Sequence, residues 1–493
     1  MVKRAKKSLA RSSVFNVMYQ LLNVAFPLVT AMYITRVLTA QSIGEVAYAQ
    51  NIVTYFTLTA ALGIPNYGTR EVAKARDDQD KLNALFSELF LINFCTSIVC
   101  LIAFLIMVLG TPLFEGDRTL LLVAGTSIAL NVLNVDWFYR GEEEYEYITK
   151  RSFVVKLATL VLMVLLVRTK SDYLWYAALT CLALAGNYVF NVFNLRRYSV
   201  KLVFLGLDPL RHMRPIVVLF ATTIAIELYT VLDTTMVGMM GSPESVAYYQ
   251  YAMKISKMLI ILICSIGAVL LPHLSSDLEA GDYAGGRRAA ESLLSVLVLL
   301  IVPCGVGLFM MADPLVAVLF GPGFGPVAQT LRITSLLVYT LGLSNLFGIQ
   351  ILVAIGREKH LFLATCCGAL VNITLNAILI PRYGQDGAAI ASVICELVVT
   401  IVVWACGRKV FPVGIAPLEV LKMVLAAAAM ALAMVGVSAV VPHNIVRVVG
   451  MPVVAVCVYA LACWLLKVDA FQLAMQKVAR FVPGLVKGRK DGM

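Results

Sequence analysis

Four charged residues lie where the sequence otherwise predicts hydrocarbon, and they carry most of the chemistry it offers. Between Leu219 and Leu271 two long apolar runs flank the turn Gly241-Ser242-Pro243-Glu244. Glu227 and Asp233 sit inside the first run, Lys254 and Lys257 inside the second. Counted from the turn, Asp233 matches Lys254 in depth and Glu227 matches Lys257. At 1.5 Å of rise per residue, both lysines fall roughly 12–17 Å below the surface, close to the middle of a ~30 Å hydrocarbon slab. A lysine or aspartate at that depth costs about 2.5–3.5 kcal/mol. Four such groups in one hairpin require internal pairing or a wet cavity.

Two chemistries fit. In the first, the charges form interhelical ion pairs that only hold the hairpin. In the second, Lys254 and Lys257, three residues apart and therefore on one helix face, meet an anionic substrate. A compact ammonium suits a phosphate that must be released again. Asp233 then tunes the lysines or carries a coupling proton or sodium ion. Glu227, about 120° around the helix from Asp233, faces such a cavity less directly. Arg36 and Arg332, near outer span ends, either extend the cationic surface or snorkel to the interface. Gln50 and Gln250 complete the candidate substrate-binding set, although single amides within spans commonly join helix to helix.

Enzymatic chemistry finds little support. The four histidines, His212, His273, His360 and His443, fall at expected span ends and form no nucleophile or metal pattern. The eleven cysteines lie inside apolar segments without a Cys-x-x-Cys pair, as small buried hydrophobes do. The turn from Gly321 to Pro326 lacks the Lys-Ser/Thr that a phosphate loop needs. No metal or cofactor is expected beyond the coupling ion.

The elements that must position these charges follow from composition. The chain has 493 residues, 60% hydrophobic and 14% charged, with a mean hydropathy of +0.87. Those values describe a polytopic helical membrane protein. Apolar runs of span length, from 13–35 to 444–466, give about fourteen transmembrane helices; they include 119–139, 328–355, 360–380 and 386–406. The net charge of +11 reflects topology rather than nucleic acid. Basic residues crowd the N-terminus and the segments Arg70–Lys81, Arg196–Arg214 and Lys467–Lys490, whereas the opposite loops hold only a few, such as Arg118 and Lys170. This asymmetry predicts both termini in the cytoplasm. The connection from Tyr67 to Lys81 reads as a solvated loop, with a surface amphipathic helix as its alternative. The basic tail from Lys467 is expected at the cytoplasmic leaflet.

A short repeat supports two halves. Val46-Ala47-Tyr48-Ala49-Gln50 recurs as Val246-Ala247-Tyr248-Tyr249-Gln250, and each copy opens an inward-running helix. The relation is a parallel repeat about the membrane normal. At the same offset Lys254 and Lys257 correspond to Thr54 and Thr57, so the halves are electrostatically unequal. The expected organisation is an N-terminal lobe of six helices over 1–212, a second six-helix lobe over 213–410, two further helices over 411–466 and a basic cytoplasmic tail over 467–493.

Several stretches together resemble a known family. They are Thr35-Arg36-Val37-Leu38 through Tyr67-Gly68-Thr69-Arg70-Glu71-Val72-Ala73, and Asp136-Trp137-Phe138-Tyr139-Arg140-Gly141-Glu142. Leu232 to Gly238, Tyr248 to Ile255, Asn372 to Gly384 and Gly387 to Ala391 continue the pattern. Over nearly its whole length the chain is similar to the polysaccharide-biosynthesis flippases, the Wzx-type lipid-linked oligosaccharide transporters of the MATE/MurJ-like superfamily. The resemblance implies a MATE-like all-α integral membrane fold and a bacterial cytoplasmic-membrane location. It implies a flippase that moves undecaprenyl-pyrophosphate-linked sugar repeat units to the outer leaflet by rocking two lobes around a cationic cavity. Polysaccharide polymerase and glycosyltransferases are the implied partners, and the last two helices the implied groove for the lipid tail. Asp233 and Lys254 belong to a recurrent motif of that family. A lipid II flippase or drug exporter of the same fold is the alternative. A membrane polymerase or acyltransferase fits less well, because neither a large outer loop nor a histidine cluster is visible.

Overall fold

A chain this apolar must satisfy each peptide group internally once it leaves water, and the helix does so locally. In the computed structural model, which describes residues 9–198, 200–268, 282–408 and 411–481, every regular element is accordingly helical. The chain forms two compact units, Met1–Ala247 and Tyr248–Met493. The first holds α1 (Leu9–Val37), α2 (Ala40–Ala61), α3 (Ile64–Ala75), α4 (Gln79–Gly110), α5 (Arg118–Leu130), α6 (Asp136–Gly141), α7 (Tyr145–Leu166), α8 (Tyr173–Leu195) and α9 (Leu210–Met240). The division falls in the first turns of α10 (Pro243–Ala268). The second unit continues with α11 (Tyr283–Phe320), α12 (Pro326–Thr334), α13 (Leu337–Ser344), a π-helical stretch (Asn345–Leu352), α14 (Glu358–Arg408), α15 (Pro417–Val440), α16 (Asn444–Leu465) and α17 (Asp469–Phe481).

Among the described residues eight helical stretches are long and apolar enough to cross a membrane. One of them, α14, has 51 residues and a length of about 77 Å if straight, too long for one crossing. It is a hairpin. Gly384 takes φ 52° and ψ −129°, and Pro381 removes a backbone donor just before it. A Cβ on Gly387 would lie 2.4 Å from the Leu379 carbonyl oxygen, whereas eight residues of straight helix span about 12 Å. Farther from the turn, the Cys395 thiol donates to the Gly368 carbonyl at 3.1 Å, which fixes the two arms as antiparallel neighbours. The arms coincide with the apolar runs 360–380 and 386–406.

Two expectations need correction. The run 119–139 is not one helix: α5 ends at Leu130, a 3-10 turn covers Asn131–Leu133, and α6 begins at Asp136. Asn131 drives the break, because its amide donates to Ser97 Oγ at 3.1 Å and its carbonyl accepts from Asn93 Nδ2 at 2.8 Å. The run 328–355 holds as one stretch long and apolar enough to cross a membrane, Pro326–Leu352, in which α12, α13 and the π-helical stretch follow one another directly. The segment from Tyr67 to Lys81 is not a solvated loop: its first part lies in α3. That helix buries Ile64, Tyr67 and Val72 against a cluster containing Trp137 and Phe138. Glycines allow the approach of α3 to α6. A Cβ on Gly68 would meet the Trp137 ring at 2.7 Å, and one on Gly141 would meet Val72 at 2.6 Å. Of the basic tail, α17 is described as far as Phe481; residues 482–493 lie outside the described residues, as does His273.

Candidate functional site

Helix α10 shows how the lysines are presented. Tyr249, Ala252, Ser256, Ile260 and Ile263 are buried at spacings of three and four, which defines its packed face. Tyr249 Oη shares a 3.0 Å hydrogen bond with Ser392 of α14, and Ser256 Oγ donates to Thr334 of α12 at 2.8 Å. Gln250, Lys254 and Lys257 follow the same spacing on another stripe. Lys254 is exposed, and Gln250 and Lys257 are half-buried. The Lys254 ammonium lies 5.3 Å from the centre of the Tyr251 ring. Tyr251 is held in turn by Phe320, with ring centroids 4.6 Å apart, and by Phe324 at 5.8 Å. Aromatic packing thus braces the lysine without neutralising it. Among the described residues of its own unit, neither lysine has a carboxylate within ion-pair distance.

The other candidates are differently placed. Arg332 is ion-paired with Asp313 of α11. Arg36 is exposed and donates to the Met32 carbonyl of its own helix. Gln50 donates to Thr180 of α8 and joins two helices of the first unit. Asp233, 5% exposed, lies on α9 beside a polar seam. In that seam Asn51 Nδ2 donates to Thr235 Oγ1 at 2.6 Å and to the Val231 carbonyl at 3.2 Å, while Tyr55 Oη lies 2.6 Å from Thr235 Oγ1. The side chain of Glu227 lies outside the described residues. The structure therefore groups Gln250, Lys254 and Lys257, and gives Arg36, Gln50 and Arg332 contacts of their own.

A second polar site, not singled out from the sequence, lies wholly inside the first unit. It is a cavity of about 300 Å³. Tyr19 and Asn23 of α1, Asn134 before α6, Asp136, Trp137 and Arg140 of α6, Lys156 of α7, and Asn187 and Tyr188 of α8 line it. Lys156 is only 8% exposed; its ammonium donates to Asn23 Oδ1 and lies 5.4 Å from the centre of the Phe26 ring. Asp136 is held by Arg151 at 3.0 Å and accepts from Asn191. Arg151 also donates to Asn187 Oδ1 at 3.1 Å and to Asn191 Oδ1, so α6, α7 and α8 share one buried network. The sequence did hold a signal. Arg151 and Lys156 stand near and inside one apolar run, and Asn187 and Asn191 repeat at a four-residue spacing in another.

Comparisons with known proteins agree with this architecture. The family model described as "Polysaccharide biosynthesis protein" matches residues 9–277, and that described as "Lipid II flippase MurJ" matches 157–458. A "Putative O-antigen transporter" of Escherichia coli (strain K12) is 26% identical over 400 residues, covering 80% of this chain and 95% of that protein. A solved structure of "Lipid II flippase MurJ, inward closed conformation" superposes with a TM-score of 0.73 at 17% identity, covering 91% of this chain and 97% of that one. A multidrug resistance MATE family transporter in an inward-facing conformation gives a TM-score of 0.59 at 16% identity, over 78% of this chain and 93% of that one. At such identities these two structures speak to the fold alone.

Proposed function

The chain belongs to the polysaccharide biosynthesis protein family, a Wzx-type flippase group of the MATE/MurJ-like superfamily, and from that premise we propose that it translocates undecaprenyl-pyrophosphate-linked oligosaccharide repeat units across the bacterial cytoplasmic membrane. A pyrophosphate sugar head group cannot cross hydrocarbon unaided, because its charges and hydroxyls would lose their water. A cationic, polar passage supplies replacement contacts, and alternating access of two similar lobes moves it from one side to the other. Both termini face the cytoplasm, where the basic segments are retained. Glycosyltransferases supply the substrate and a polymerase consumes it.

The observation that carries this reading is the Gln250–Lys254–Lys257 stripe: an amide and two ammonium groups on one face of an apolar helix, with Lys254 exposed and braced by Tyr251. Charge placed so deep and left unneutralised within its unit suits an anion that binds and leaves. Arg36 and Gln50 of the first unit and Arg332 of the second are further candidate substrate contacts in this reading, Asp233 carries the coupling proton or sodium ion, and α15 with α16 accommodates the lipid tail. The test is reconstitution into liposomes with candidate lipid-linked sugars, scoring movement between leaflets. Movement of a pyrophosphate-linked repeat unit, and not of lipid II or a cationic drug, is the expected result. Selective movement of lipid II or of the drug would replace this reading with the corresponding one.

A further inference from the structure

The cavity inside the first unit carries a charge pattern that the Lys254 stripe does not explain. Its lining includes two cations, Arg140 and Lys156, and one carboxylate, Asp136. Asp136 is already taken by Arg151 at 3.0 Å. Among the described residues neither Arg140 nor Lys156 has a carboxylate within ion-pair distance. Arg151 contributes a further positive charge behind the wall; it is 6% exposed, and its Nη2 has no hydrogen-bond partner among the described residues. Counting Arg151, the site holds three cations against one anion. Burying such an excess is costly unless a counter-ion visits.

The rest of the lining matches that visitor. Asn134 and Asn187 offer amides, Tyr188 a phenol and Trp137 an aromatic edge. Amides and rings beside cations are the groups that hold a sugar phosphate. Size limits the occupant. About 300 Å³ is the lower end of ligand pockets and too small for an oligosaccharide. It suits a phosphate or pyrophosphate group with at most the sugar next to it.

We propose that this first-unit cavity is a phosphate-binding subsite, in which Arg140 and Lys156 hold the phosphate or pyrophosphate group of the transported lipid. The inference rests on the flippase reading for the source of the phosphate, but the anion chemistry stands on the cavity alone. Free phosphate and a lipid diphosphate share that chemistry, so the test uses both.

The full chain in lipid nanodiscs is titrated with inorganic pyrophosphate and, separately, with farnesyl diphosphate, following Trp fluorescence and thermal stability. Binding is expected for the wild type and is weakened about tenfold or more by Arg140→Gln and by Lys156→Met, the scale of one lost charge-assisted contact. Lys156→Arg is expected to restore it. Arg140 is half-buried, so its substitution reports on binding even if Lys156→Met fails to fold. Tighter farnesyl diphosphate than pyrophosphate assigns the subsite to the lipid; equal affinities assign it to phosphate in general, and both support the proposal. Wild-type affinity in a folded Arg140→Gln protein, or no binding of either probe by the wild type, would overturn it. Transport is scored in parallel. Probe binding that Arg140→Gln weakens, in a chain that never moves lipid-linked sugars, would sink the flippase reading and leave the anion site standing.

Discussion

Replacing Arg151 by Met should destabilise the first unit by about 3–5 kcal/mol, the cost of stranding a buried charge. The estimate follows from the contacts. The side chain of Arg151 is 4% exposed and that of Asp136 18%, so water screens neither well. The guanidinium joins Asp136 at 3.0 Å, Asn187 at 3.1 Å and Asn191. Methionine fills similar volume but leaves the Asp136 carboxylate with Asn191 as its one remaining partner from this network. For a unit of this size the loss corresponds to a fall of about 6–20 °C in unfolding temperature. The double variant Asp136→Asn/Arg151→Met removes both charges and should recover at least half of the deficit, because a buried pair as a whole contributes little net stability. Thermal or detergent-titrated unfolding of the full chain, read by Trp fluorescence, measures both, since Trp137 lies in the same cavity wall. A single variant within about 1 kcal/mol of wild type, or a double variant no better than the single, would show that the pair is effectively solvated and the reasoning wrong.

Three further outcomes are expected. Lys254→Ala and Lys257→Ala should each abolish transport in liposomes while membrane levels stay normal; loss of folding in both would favour structural pairing instead. Asp233→Asn should alter the ion dependence of transport more than insertion into the membrane, and unchanged transport with unchanged ion dependence would remove Asp233 from the coupling role. Gly44→Ala should impair folding of the first unit, because its Cβ would sit 1.7 Å from the Pro243 carbonyl oxygen and the obstruction is backbone, which cannot swing aside. Its yield of monodisperse protein, compared with Gly436→Ala, where nothing lies within 4 Å of the new carbon, checks this.

Much of the architecture was legible in the chain. Hydropathy marked the helices, and the break between the runs 360–380 and 386–406 located the α14 reversal at Pro381 and Gly384. At the repeated motif the two valines, Val46 and Val246, and the alanines after them are all buried, and all four fall in the first unit. Where hydropathy misled, a polar residue was responsible. Asn131 ends α5 early by bonding across to α4, a contact that no window average registers. The segment around Tyr67 looked solvated because its charges face outward, while Ile64, Tyr67 and Val72 fill the other side of α3.

By itself the sequence determined that this is a helical membrane protein, and that Lys254 and Lys257 share one face. Both follow from composition and from the 3.6-residue period, which are properties of one segment. Only the tertiary structure decided which charges are neutralised. Arg332 meets Asp313, Arg151 meets Asp136, and Lys156 meets an amide rather than an acid. Those pairings depend on how neighbouring helices are rotated and offset, and that is set by side-chain packing between segments far apart in the chain.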